Sequence, residues 1–189
     1  MPVLPHETPV FSLDKCKIYP LTADPAGGTA TYGAGIACTG IQSLAVDPDT
    51  LYKELFGDNA IIAAAGKARK FTFKLGMAKV SLDVMAQLYG GTVTDAGSTP
   101  AQSTTYSVKN TDAGKYFKLE CQILGVEIPA SSGGGDLHVV GWKCKVMSAA
   151  IAGKAEDFAP LTFDVAALAR SADGKMFDLV ENETLVALA

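Results

Sequence analysis

The chain has 189 residues, 48% hydrophobic and 19% charged, a low charged share against about 25% for ordinary soluble domains. Its net charge of −4 supplies no basic field of the kind a general nucleic-acid binder needs, though it would let DNA slide past a surface. The length predicts one domain over residues 1–189, and the scarcity of charge predicts a surface partly covered by other protein.

Residues 1–10 hold Pro2, Pro5 and Pro9 and predict an extended arm. The stretch MPVLPHETPVF lacks the basic start and apolar run of a signal peptide, and no segment approaches 18 uninterrupted apolar residues. Neither a leader nor a membrane-spanning helix is therefore expected. Phe11 to Ile18 reads as strand. Residues 20–35 (PLTADPAGGTATYGAG) read as a glycine-rich loop, either a long hairpin tip or a flexible connection. Ile36 to Val46 predicts a second strand ended by Asp47 and Pro48. Residues 47–60 predict an irregular stretch or a helical turn.

From Lys70 to Met77 the alternation is clean. Phe71, Phe73, Leu75 and Met77 take one face, and Lys70, Thr72 and Lys74 the other. Ser81 then caps a short helix with Asp83 in its first turn, an apolar stripe of Leu82, Met85, Leu88 and Tyr89, and Gly90–Gly91 at its end. Residues 92–105 read as a polar linker, with a short strand at 104–108 and a turn at 110–115. Tyr116 to Val126 alternates Phe117, Leu119, Cys121 and Ile123 against Lys118, Glu120 and Gln122. Leu137 to Met147 places His138, Val140, Trp142, Cys144 and Val146 on one face and Lys143 and Lys145 on the other. Strands at 161–169 and 176–182 close the chain around an ADGK turn. Six to eight strands with one helix at about residues 81–89 predict a mainly β fold, an antiparallel β-sandwich or flattened barrel flanked by the helix.

Chemistry is sparse. A catalytic triad would have to use His6, in the proline-rich arm, or His138, in a strand. The carboxylate pairs Asp47/Asp49, Glu156/Asp157 and Glu181/Glu183 fall in turns or near the terminus, and Asp112 and Asp173 are placed to cap turn amides. Neither glycine run, Gly27–Gly28 or Gly133–Gly135 in a flexible glycine-rich tip at 129–136, has phosphate-loop spacing. The four cysteines stand apart without a CxxC pair and read as reduced thiols. No catalytic residue, metal or cofactor is expected. Lys67, Arg69, Lys70, Lys74 and Lys79 form the main basic cluster, either a solvated strand face or one side of an interface with acids such as Asp47, Asp49, Glu54 and Asp58 of a neighbour.

Residues 46–91 resemble the major tail tube proteins of long-tailed, non-contractile bacteriophages. The matching pieces are LYKELFGDN, the strand RKFTFKLGMAKVSLDV and the closing LYGG. That resemblance implies a β-sandwich flanked by a helix, related in fold to the tubes of contractile tails and type VI secretion, without the C-terminal immunoglobulin-like module of some relatives. It implies hexameric rings stacked head-to-tail into a hollow tube in the virion tail, assembled in the host bacterial cytoplasm. The implied partners are other copies of the chain, the tape measure protein, and the tail tip and tail terminator proteins, with DNA crossing the lumen without sequence-specific binding. Residues 1–10, the 20–35 loop and an inter-subunit loop at 47–68 become ring-to-ring contacts, with Asp47, Asp49, Glu54, Asp58, Lys67 and Arg69 as candidates. Lys74, Lys118, Glu120, Gln122, Lys143 and Lys145 become lumen candidates, although four lysines sit poorly with the acidic lumens of the family. The remaining readings are a tube or assembly protein of a secretion or injection system, a β-rich virion surface or binding module, and an enzyme.

Overall fold

The computed structural model describes residues 10–57, 60–125, 135–153 and 160–188. The expectations for the 1–10 arm up to residue 9, His6, Asp58, Glu156, Asp157 and most of the glycine-rich tip at 129–136 lie outside the described residues.

The described chain forms eleven strands in two sheets and one helix. In order they are β1 (Val10–Ala23), β2 (Thr31–Tyr32), β3 (Ile36–Ala37), β4 (Ile41–Gly57), β5 (Ala60–Met77), α1 (Leu82–Tyr89), β6 (Thr92–Ala96), β7 (Ser103–Ser107), β8 (Phe117–Gly125), β9 (Asp136–Ile151), β10 (Leu161–Ala167) and β11 (Phe177–Asn182). The large sheet runs β2-β1-β8-β9-β10-β5-β4, with β3 also on β1 and β11 also on β9. Every pairing is antiparallel. Among the described residues the path ends at β2 and β4 without hydrogen-bonded closure into a barrel.

Strand β9 turns the sheet. On one edge its first half, Asp136–Gly141, pairs with β11, while its second half, Cys144–Ile151, pairs with β10. Between them the register with β8 slips, with Leu119 opposite Gly141 and Phe117 opposite Cys144. Such a bulge bends a strand and reverses which residues face inward. Val139 before it and Cys144 after it both join the core, while His138 turns away, so the single-face reading of His138 through Val146 is corrected. A Cβ at Gly141 would stand 2.7 Å from the Cys144 Sγ and 3.0 Å from the Phe73 ring, so the bend requires glycine there.

The two arms of the bent sheet close over one core. Ile18, Phe117, Leu119 and Cys121 from β1 and β8 meet Phe73, Leu75, Met77, Phe163 and Val165 from β5 and β10. The period-two reading of β5, β8 and β10 thus places their apolar faces correctly. Helix α1 starts as expected, with the Ser81 hydroxyl accepting from the Val84 amide. Its buried face centres on Val84, Gln87 and Leu88 rather than on Leu82.

Three further readings change. The 36–46 strand is two strands, broken at a tight turn where Gly40 has φ +73°. Residues 92–105 are not a linker, because β6 and β7 form their own hairpin. The Tyr106 hydroxyl lies 2.8 Å from the Gly90 carbonyl and 3.1 Å from that of Met85 and shares its one proton between them, tying that hairpin to the end of α1. Finally, residues 47–57 are not irregular: β4 runs through Pro48 to Gly57, and β5 pairs with it from Ala60. Proline is tolerated there because β4 is the last strand of the path, where a missing donor breaks no ladder beyond it.

Candidate functional site

The β4–β5 hairpin outruns the sheet that supports it. β5 pairs with β10 only from Phe71 to Met77, so in the sheet its Ala60–Lys70 portion pairs with β4 alone. The result is a two-stranded arm projecting roughly 30 Å. Every described side chain from Thr50 to Phe56 and from Ile61 to Lys67 is exposed. Tyr52, Leu55, Phe56, Ile61 and Ile62 lead the apolar set, each more than half exposed. On β5, Ala63 stands opposite Leu55 and Gly66 opposite Tyr52, with Ala64 and Ala65 between them opposite Glu54 and Lys53. Two-stranded hairpins are marginal in water by themselves. Unpaired edges and contiguous apolar surface mark places where another chain sits.

The structure spreads the expected contact residues along this arm. Asp47 and Asp49 lie at its base, Glu54 and Lys67 along it, and Arg69 is the extra residue of a bulge between the Asp49–Lys70 and Thr50–Ala68 pairs. Asp47 pairs with Lys74 at 2.7 Å and Asp49 with Lys70 at 3.9 Å, both within the chain.

The expected lumen residues divide into two groups. Lys118, Glu120 and Gln122 are buried at 8%, 6% and 3% exposure. They face a polar layer inside the chain, which corrects their placement on an open face. The Lys118 ammonium sits 4.1 Å from the Tyr19 ring centre and 2.8 Å from Glu120 Oε2. Glu120 Oε1 meets His138 Nδ1 at 3.2 Å, and His138 Nε2 meets Asp136 Oδ2 at 3.1 Å. The segment after β11 covers this row. The Val186 amide donates to Asp136, and its carbonyl accepts from Gln122. Burial pushes the Asp136 carboxyl up, but donors from Val186, Asn182, Gln122 and His138 outweigh it and hold it below the ordinary value. Residues 120, 136 and 138 are too scattered to announce this row in the sequence; only the pairing of β8 with β9 brings them together.

Lys143 also turns inward, donating to Asp24 at 2.7 Å. Lys74 and Lys145 remain on the outer face of the β4-β5-β10-β9 arm. Cross-strand register puts Asp47, Thr72, Ala166 and Lys145 in one row, and Lys74 beside Asp164 in the next. With the Asp49–Lys70 row, three aspartates and three lysines share this face.

No family model matches the chain, and no curated protein matches it in sequence.

Among the described residues no group of three or more His, Cys, Asp or Glu side chains is arranged to hold a metal ion. A cleft lies between β3 and α1, and its ionisable lining groups are Asp83 and Lys115. His138 has carboxylate neighbours of the sort that orient a catalytic imidazole, but the 183–188 segment roofs it. The three-thiol row of Cys16, Cys38 and Cys121 lies in the core.

Proposed function

We propose that the chain is a structural subunit that assembles with copies of itself through the β4–β5 arm, as the tail tube subunit of a long-tailed, non-contractile phage. The observation that carries this reading is the arm: about 30 Å of apolar, unpaired hairpin is unsuited to permanent contact with water. It coincides with the 46–91 stretch that resembles tail tube proteins. Six copies form a closed ring, and rings stack head-to-tail, an open arrangement that elongates into a tube. The arm of one ring lies against the neighbouring ring, burying Tyr52, Phe56 and Ile61.

The lumen wall in this account is the balanced polar face carrying Asp47, Asp49, Lys70, Lys74, Lys145 and Asp164, not the buried β8 residues. Paired charges leave no net basic field to trap passing phosphates. The function is mechanical, with no bond made or broken.

Sedimentation velocity over a concentration series, with and without preassembled tail tips as seed, tests the proposal. Seeded conversion to very large species is expected. A monomer that persists at high concentration in the presence of seed contradicts it.

A further inference from the structure

Three thiols stand in a row: Cys38 just after β3, Cys16 on β1 and Cys121 on β8. The β1–β3 register pairs Lys17 with Ala37, and the Cys38 amide next to it donates to the Cys16 carbonyl at 2.8 Å. Cys16 therefore directs its backbone polar groups toward β3. On its other side it is the register partner of Cys121. A residue whose backbone groups point away from a neighbour forms the non-hydrogen-bonded kind of pair with it. Such pairs bring Cα atoms to about 4.5 Å and side chains closest. That spacing falls within the roughly 4.4–6.8 Å window of disulfides. The Cys16–Cys38 pair, on the hydrogen-bonded side, is the wider kind at about 5.5 Å.

The sulfurs of the Cys16–Cys121 pair are correspondingly close. Cys16 Sγ and Cys121 Sγ are 2.7 Å apart. Non-bonded heavy atoms rest at about 3.5–4.0 Å, and a bonded pair at about 2.05 Å. Both side chains are fully enclosed, at 2% and 0% exposure. Closing the bond requires no change of strand register, since the ladder on both sides of Cys16 is already formed.

We propose that Cys16 and Cys121 are the site of a reversible cross-strand disulfide stapling β1 to β8, with Cys38 and Cys144 remaining thiols. This inference does not depend on the tube reading. The oxidant is a small disulfide such as oxidised glutathione. One cysteine thiolate attacks it, forming a mixed disulfide and releasing one glutathione thiolate. The second cysteine thiolate attacks the protein sulfur of that mixed disulfide and releases the second glutathione. Two protein thiols lose two electrons and two protons, and one glutathione disulfide becomes two glutathione thiols. Burial pushes the Cys16 thiol well above its ordinary range, which leaves little thiolate in the folded chain. The exchange therefore belongs to the open chain, and folding then encloses the bond. The residues it links are 105 positions apart, so it restricts the unfolded chain strongly and raises the unfolding midpoint.

The test is to refold the full chain in oxidised and reduced glutathione, quench with an alkylating agent under denaturing conditions, and map linked peptides by mass spectrometry. The expected result is one linkage, Cys16 to Cys121, with Cys38 and Cys144 alkylated. It should persist in Cys38→Ser, vanish in Cys16→Ser, and raise the melting temperature of the wild-type chain until a reductant is added. The native reduced protein should acquire it at least tenfold more slowly than the refolding chain. Four alkylated thiols after oxidative refolding, or a linkage of Cys16 to Cys38, overturns the proposal, and this mapping needs no variant to fold.

Discussion

Lys118 Nζ and Glu120 Oε2 meet at 2.8 Å with side chains only 10% and 8% exposed. They stand two residues apart on one face of β8, which the sequence presents as an open polar face. Breaking a buried ion pair from one side strands the other charge, which costs about 3–5 kcal/mol. Lys118→Met should lower unfolding free energy by about 3 kcal/mol in urea titrations at pH 7. The double variant with Glu120→Gln should recover part of the loss. A single-variant cost within about 0.5 kcal/mol, usual for exposed positions, would mean that this face is open to water.

Asp24 ties the turn after β10 to β1. Its carboxylate accepts from Lys143 and from the amides of Ser171 and Ala172. The Lys143 ammonium, then the Ser171 amide, hold the carboxyl far below the ordinary range. A depressed folded value contributes stability above the unfolded value of about 3.9, and the contribution fades as pH falls from there through the folded value. The gap in urea midpoint between wild type and Asp24→Asn should be constant from about pH 5 to 8 and should shrink below about pH 4. A gap that widens in acid would contradict this.

Tyr106 joins the β6–β7 hairpin to α1 through one hydroxyl proton shared between two carbonyls. Tyr106→Phe keeps the ring and removes the donor. It should cost about 1 kcal/mol, with faster amide exchange at the end of α1 and little change in β5. Unchanged exchange in α1 would show that the hairpin does not hold the helix.

Much of this was legible because side-chain polarity follows the backbone period. Phe73, Leu75 and Met77 in β5 and Phe163 and Val165 in β10 alternate, and they are buried. Ser81 and Asp83 mark the start of α1 by local chemistry alone. Polarity does not report what lies on top of a face, so Lys118, Glu120 and Gln122 read as open although Tyr19 and the 183–188 segment cover them. The Asp47-Pro48-Asp49 run looks like a turn, yet at an edge strand it continues the ladder opposite Thr72, Phe71 and Lys70. The slip between Leu119 and Phe117 on β8 reverses the faces of β9 by tertiary pairing, which the alternation of polarity does not report.

The arm can be tested apart from the fold. Phe56 and Ile61 are register partners at its exposed end, 64% and 55% exposed. Phe56→Asp with Ile61→Asp should leave the melting temperature of the monomer nearly unchanged, as surface changes shift stability by about 0.5 kcal/mol or less. The same variant should lose seeded assembly. A variant that still assembles would remove the arm from the interface.

Negative-stain electron microscopy of the wild-type protein, seeded with tail tips and sampled over a concentration series, decides whether a tube forms. Hollow tubes with a regular ring repeat are expected, and none from the Phe56→Asp/Ile61→Asp preparation. Discrete particles without a lumen, at every concentration and with seed present, would contradict the tail tube proposal.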